Sequence, residues 1–265
     1  MMTRMLVLLL LLPLSTSGWT TCSSSGRAKS ALSMNLFNDF GDLMTGGKLA
    51  ETMTQLPYSP PLSAGSSMSD DKRVLAVQER LISFTGEDFD VVDATTNQEF
   101  AKVRGAMMHL PGKDKMRVTV DGEVCAVLDR KLVAMTPTYD ILRGGEEKLG
   151  WIEKEVVALQ DTFDVYLQGA GGNLGPFFKP PPAFKIEGDF MDRNFCMKNT
   201  LNEVVAKVSM DWIVEFDSFN HYQVQVAPGM DAVLVIACLC AIDEEFDEEH
   251  KEAKKKREEG KDGWF

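Results

Sequence analysis

The sequence predicts a mainly β protein, a closed antiparallel β-barrel that is threaded by one hydrophobic helix in the C-terminal part of the chain. Three observations lead to this architecture. Apolar and polar residues alternate with a period of two between residues 74 and 227, as in strands that have one face in a core. Asp121-Gly122 lies between two such runs and predicts a tight hairpin turn. The apolar run 232–242 has no polar face, which predicts a helix buried on all sides.

The predicted helix spans 230–246. Pro228-Gly229 ends the preceding strand, and Asp231 is placed to cap the helix N-terminus. Since a bilayer-spanning helix needs about 20 apolar residues, the run is too short to cross a membrane. The helix is therefore expected to be surrounded by strands.

The strands are predicted from alternating runs, and several of these runs form a weak internal repeat. The runs are Phe89/Val91, Met116/Val118/Val120, Val124/Ala126/Leu128, Phe163/Val165/Leu167, Val204/Ala206/Val208, Trp212/Val214/Phe216 and Tyr222/Val224/Val226. Segment 89–103 is similar to 195–208 and, more loosely, to 139–154, and each has the pattern of strand, tight turn, strand. Repeated hairpins with one apolar face build barrels, in which closure removes exposed edges and something must fill the middle.

The first part of the chain has the composition of a targeting sequence. Residues 1–18 have the layout of a signal peptide, and residues 19–38 are rich in Ser and Thr and carry no acidic residue, like a transit peptide. Together they resemble the bipartite plastid presequences of algae with secondary plastids, and a secreted protein is the alternative. Residues 39–71 are rich in Gly, Ser and Pro and predict a flexible linker or arm.

Composition and charge exclude several classes of function. The chain of 265 residues is 44% hydrophobic and 26% charged, which is typical of a globular protein. Its net charge of −12 argues against nucleic-acid binding and weakens attraction to anionic lipid. Its five cysteines include no CxxC pair, and its three histidines are scattered, so no metal site and no cofactor site is predicted.

Two loop segments are candidates for contacts with ligands or membranes. The Gly-rich loop 169–175 lacks the Gly-Lys-Ser/Thr ending of a phosphate-binding loop and is interpreted as a flexible insertion between strands. Phe177 and Phe178 stand beside prolines and are candidates for contact with a membrane interface or a partner. The alternative is that this Phe pair packs over one end of the barrel.

The charged tail 247–265 contains a basic cluster and many acidic residues. Lys254, Lys255, Lys256 and Arg257 are candidates for contact with anionic lipid or a partner. However, acidic and basic residues alternate there at i,i+4 spacing, so a water-exposed continuation of the core helix is the favoured interpretation.

No catalytic residue is predicted. Cys125 is expected on a strand face opposite Val124, Ala126 and Leu128, and no sequence signature links it to a general base. Carboxylates are abundant, but abundance in an acidic protein does not make a catalytic pair. The chain is therefore not expected to be an enzyme.

Several segments, taken in order, resemble the LURP-one-related family over residues 72–246. They are Ser83–Asp93, the Asp121-Gly122 hairpin, Ile186–Phe190, Val205–Val208 and Tyr222–Asp231 followed by the apolar helix. That family is similar in fold to the Tubby C-terminal domain and the phospholipid scramblases, which implies a barrel of about twelve strands around a central helix. The family provides no catalytic site to transfer, and no position here matches the basic phosphoinositide-binding motif of Tubby.

The resemblance implies a non-catalytic module that recognises a lipid headgroup or small ligand at a membrane surface. A structural protein that scaffolds a plastid protein complex is the alternative, and scramblase-like lipid handling is a third hypothesis. Neither nucleic acid nor a transmembrane span in the mature chain is expected, and any membrane association is expected to be peripheral.

Overall fold

Twelve strands and one helix make up the part of the chain that the structure, a computed structural model, describes. The described residues are 47–63, 68–79, 88–105, 115–131, 133–155, 161–168, 179–209 and 221–259, without the side chains of 221 and 247–259. The elements are β1 Arg73–Glu79, β2 Phe89–Asp93, β3 Gln98–Arg104, β4 Lys115–Val120, β5 Glu123–Arg130, β6 Thr138–Arg143, β7 Glu147–Lys154, β8 Thr162–Leu167, β9 Phe184–Asp189, β10 Asn194–Asn199, β11 Val204–Ser209, β12 His221–Val226 and α1 Ala232–Glu259.

The strands form a closed antiparallel barrel in the order β1-β12-β11-β10-β9-β8-β7-β6-β5-β4-β3-β2. Sequential strands are neighbours throughout, and the first strand closes the barrel against the last, with Arg73 opposite Val226 and Gln78 opposite His221. Closure pairs every strand on both sides and so leaves no exposed edge. The predicted fold class is confirmed, as is the strand number that the resemblance implied.

The Asp121-Gly122 turn is confirmed, but one prediction about the strand that follows it is wrong. Both turn residues have positive φ, 51° and 84°, as a two-residue hairpin requires. Val118 pairs with Ala126 and Thr119 pairs with Val124, so a bulge leaves Cys125 without an opposite residue. The bulge inverts the alternation, and Cys125 lies in the core (7% exposed) while Val124 is 39% exposed.

The three copies of the predicted repeat are the hairpins β2–β3, β6–β7 and β10–β11. Each has a bulge in its second strand, where Phe100, Leu149 and Val205 are left without an opposite residue. Bulges bend and twist a strand locally, which helps a sheet to curve into a small barrel. The predicted strand at Trp212/Val214/Phe216 lies outside the described residues.

Helix α1 fills the barrel. Every residue from Ala232 to Ile242 is buried, and Val233, Leu234 and Ile236 have no exposed surface. Cys238 and Cys240 are buried free thiols that act as small core residues. The helix begins close to the predicted start and continues to Glu259, about 20 Å beyond Phe246 at 1.5 Å per residue.

The two ends of the barrel differ. At the end where α1 begins, here called the closed end, strands are joined by tight turns such as 94–97, 121–122 and 144–146, and also by the long β8–β9 connection 168–183. At the opposite end, here called the exit end, α1 leaves the barrel among the longer connections, such as 80–88 and 210–220. Variable functional loops are commonly concentrated at one end of a rigid scaffold.

Residues 47–63, within the segment expected to be a linker or arm, lie against the closed end. Leu49 forms a parallel bridge with Val204, and the Ala50 amide donates to the Val204 carbonyl at 2.8 Å. The Thr54 amide donates to the Pro228 carbonyl at 2.8 Å, and Leu62 is buried in the core. We call these residues the arm, and it covers the end that the turns alone leave open.

Asp231 joins the arm to the start of the helix. One carboxylate oxygen accepts hydrogen bonds from the amides of Val233 and Leu234 at 3.1 and 3.4 Å, which makes Asp231 the N-cap, as predicted. The other accepts from the Tyr58 hydroxyl at 2.8 Å and the Leu62 amide at 2.7 Å. Asp231 is fully buried, so these four donors replace the water that a buried carboxylate loses.

Substitution Tyr58→Phe is expected to lower the free energy of unfolding by about 1.5 to 3 kcal/mol, the usual contribution of a hydrogen bond to a charged group. Burial, followed by the charge of Asp231, raises the pKa of Tyr58 above its ordinary value. The protonated hydroxyl is therefore the stabilising form, and its contribution is complete below pH about 10 and is lost as the pH rises further. Urea unfolding of both chains should show a constant difference below that pH and a smaller one above it. A difference that grows in alkali contradicts this account.

Candidate functional site at the exit end

An aromatic cluster surrounds α1 where it leaves the barrel. The rings of Phe190 and Phe195 flank the β9–β10 turn, with centroids 5.0 Å apart. Phe190 stacks on Phe246 of the helix at 5.5 Å and meets Phe163 of β8 edge-on at 5.2 Å. These rings bring together strands and helix that are distant in sequence.

Ion pairs join the last buried turn of the helix to the barrel wall. Arg193 and Asp243 lie 3.0 Å apart, and Arg130 and Glu245 lie 3.4 Å apart. The Tyr139 hydroxyl also donates to the Glu245 carboxylate at 3.5 Å. Because each of these helix carboxylates has a positive partner, the helix can carry acidic residues while still inside the barrel.

A cavity of about 120 Å³ lies between this cluster and the helix. Its apolar lining comprises Phe190, Phe195, Tyr222, Phe246, Leu239 and Ile242. The Arg193–Asp243 pair also lines it, and Met191, 61% exposed, places its mouth at the surface. An apolar cavity with a few charged groups is the usual form of a small-molecule site.

A second cluster, on the outer wall, holds the chain that returns from the β8–β9 connection. Trp151 and Tyr166 stack at 4.8 Å, and Lys179 lies 4.3 Å from the centroid of the Tyr166 ring. Glu153 accepts hydrogen bonds from Trp151 Nε1 at 2.9 Å and from Lys179 Nζ at 2.6 Å. Burial is the main cause that raises the pKa of Tyr166 to about 12. Lys179 directly follows Phe177-Phe178 in sequence, so it anchors the chain next to that pair.

The contact residues predicted from sequence lie outside what the structure describes. Phe177 and Phe178 fall in the undescribed range 169–178, as does the Gly-rich loop 169–175. The backbone of Lys254, Lys255, Lys256 and Arg257 belongs to α1, as the favoured interpretation of the tail required, but their side chains are not described. Residues 1–38, predicted to be a presequence, are likewise outside the described residues.

Sequence reasoning missed the residues of the exit-end cavity. Phe190 and Phe195 are five positions apart on either side of a turn, and Phe246 follows the apolar run. These spacings are only weak signals of a shared cavity. The Arg193–Asp243 pair spans two elements that sequence spacing does not connect.

The chemistry of the described residues offers little for catalysis. Burial raises the pKa of the thiols of Cys125 and Cys196, which lowers the fraction of reactive thiolate. No group of three or more His, Cys, Asp and Glu among the described residues is arranged to hold a metal ion. Over the same ranges, no helix is both long enough and apolar enough to cross a membrane.

Comparisons with known proteins identify the family. No curated protein matches the chain. An X-ray structure of a protein from Arabidopsis thaliana is similar, with 16% sequence identity and a TM-score of 0.49, over 67% of this chain and 93% of that one. The family model described as LURP-one-related matches residues 73–243, which begin at the first residue of β1 and end in the last buried turn of α1. The chain therefore belongs to the LURP-one-related family.

Proposed function

We propose that this protein is a non-catalytic binding module that recognises a small ligand or a lipid headgroup at a membrane surface. The observation that carries the proposal is the cavity of about 120 Å³ at the exit end, with its apolar lining and its Arg193–Asp243 pair. A rigid barrel with a preformed cavity and buried, high-pKa thiols has the features of a binding scaffold rather than of an active site.

The charges on the barrel wall favour a membrane contact made by apolar side chains. Lys115 and Lys198 are each paired with a carboxylate on a neighbouring strand, and Lys185 is paired with Glu155, directly after β7. Paired lysines offer little attraction for anionic lipid, which agrees with the net charge of −12. Phe177-Phe178, next to the Lys179 anchor, are the residues proposed to enter the membrane interface.

The double substitution Phe177→Ser/Phe178→Ser is expected to lower binding of the full-length chain to phosphatidylcholine vesicles by about tenfold or more, since two large apolar side chains are lost. Vesicle flotation measures this, and binding of the unsubstituted chain should change little with salt. Val133→Ser/Met135→Ser is the matched control, because both residues are almost fully exposed in the β5–β6 connection at the exit end.

Two results would contradict the membrane contact. If the Phe pair variant floats as well as the unsubstituted chain, those residues do not make the contact. If only the control variant loses binding, the membrane meets the exit end instead.

A scaffolding role in a protein complex is the second candidate. The observation that favours it is the continuation of α1 to Glu259, because a charged helix that projects about 20 Å from the barrel is suited to contact another protein. Co-purification of the full-length chain with a complex, together with no flotation on any vesicle composition, supports this second function.

A further inference from the structure

We propose that the exit-end cavity binds a small molecule through a neutral aromatic ring. This inference rests on the proposed function in taking the cavity as the ligand site, and it names the class of ligand. The volume of about 120 Å³ is close to the size of a single ring, since a cavity of about 150 Å³ is known to hold benzene. The exit-end cavity differs from a sealed apolar cavity, because it opens at Met191 and the Arg193–Asp243 pair forms part of its wall.

The charges around the cavity select a neutral group. A cationic group would need an open aromatic face, but the guanidinium of Arg193 lies 5.0 Å from the Tyr222 ring and Lys154 Nζ lies 4.9 Å from the Phe246 ring. An anionic group would meet the carboxylate of Asp243, which already neutralises Arg193 at 3.0 Å. Only an uncharged group enters without displacing an existing ion pair or cation–π contact.

The packing of the rings favours an aromatic group over an alkyl group of the same size. Phe190 meets Phe195 at 5.0 Å with a tilt of 38°, and Phe246 at 5.5 Å with a tilt of 17°. A guest ring extends this cluster through further edge-to-face or offset-stacked contacts. The Met191 sulfur at the mouth adds a favourable contact with an aromatic edge. An alkyl group of equal volume would be stabilised only by the burial of its apolar surface and not by contacts between rings.

Phenol and cyclohexanol are matched probes for this proposal, because they have similar size and the same hydroxyl group. Titration of the full-length chain, followed by ligand-observed NMR, should give a dissociation constant for phenol about three- to tenfold below that for cyclohexanol. Met191→Trp, which places a large side chain at the mouth, should abolish phenol binding. Leu201→Trp is the control, because Leu201 is equally apolar and exposed but lies in a turn at the closed end.

Each contrary outcome overturns a separate part of the proposal. Cyclohexanol binding as tightly as phenol overturns the aromatic class. Phenol binding that is unchanged by Met191→Trp overturns the location. Binding of neither probe overturns the cavity as a ligand site. Vesicle flotation depends on Phe177-Phe178 and not on Met191, so loss of phenol binding with intact flotation separates this inference from the membrane contact.

Discussion

Ile236→Asp is expected to unfold the whole barrel. Ile236 lies in the buried run 232–242 of α1 with no exposed surface, among residues that are buried on every side of the helix. The substitution removes an apolar side chain, a loss of about 2–5 kcal/mol, and buries a carboxylate among apolar side chains. The sum is comparable to the whole stability of a domain, about 5–15 kcal/mol. Circular dichroism should show loss of both the strand signal and the near-ultraviolet signal.

Ile236→Val is the matched control for this experiment. It removes one methylene and should cost only about 0.5–1.5 kcal/mol, with the barrel intact. A folded Ile236→Asp chain that no longer associates with membranes would show that the helix resides in lipid and not in the barrel.

Gly150→Ala is expected to destabilise the barrel by about 3 kcal/mol, near the upper end for overpacking. A Cβ atom at this position would lie 2.0 Å from the carbonyl oxygen of Tyr166, which is backbone and cannot rotate away. Strands β7 and β8 would have to separate, and the stacked pair of Trp151 and Tyr166 would be disturbed with them. Urea unfolding and the near-ultraviolet signal of Trp151 measure the two effects.

Gly122→Ala separates steric clash from backbone strain. Gly122 has a φ of 84° and no atom within 4 Å of its missing Cβ, so this change costs only the strain of the left-handed conformation, about 1–2 kcal/mol. If both substitutions have the same cost, close approach of the strands at Gly150 is not the reason for its glycine.

The sequence predicts those features of the fold that depend on a single segment of the chain. The alternation in β2, β8 and β12 reports which face is buried, and the run after Asp231 reports a helix with no exposed side. Register is different, since it depends on a partner strand. The alternation within β5 therefore predicts the wrong face for Cys125, because the bulge that turns it inward is a property of the pair β4–β5 and not of β5 alone.

The candidate site is less readable than the fold. Its cavity joins the β9–β10 turn, β12 and the helix, and its ion pair links Arg193 to Asp243. Sequence shows that these residues are aromatic or charged, but it does not show that closure of the barrel brings them together. The contact candidates chosen from local composition, such as Phe177-Phe178, remain predictions.

The pairing of β1 with β12 has a consequence for the order of events during synthesis. Arg73 emerges from the ribosome long before Val226, its partner, and at about 5–20 residues per second the delay is roughly 10–30 s. During that time the intervening hairpins can form one after another, while the first strand keeps one edge unpaired. The hydrogen bond from Tyr58 forms later still, since its acceptor Asp231 follows Val226 in the chain. The nascent chain therefore exposes an unpaired strand edge, which can pair with other chains, until β12 has been synthesised. A chaperone that covers this edge would prevent such aggregation.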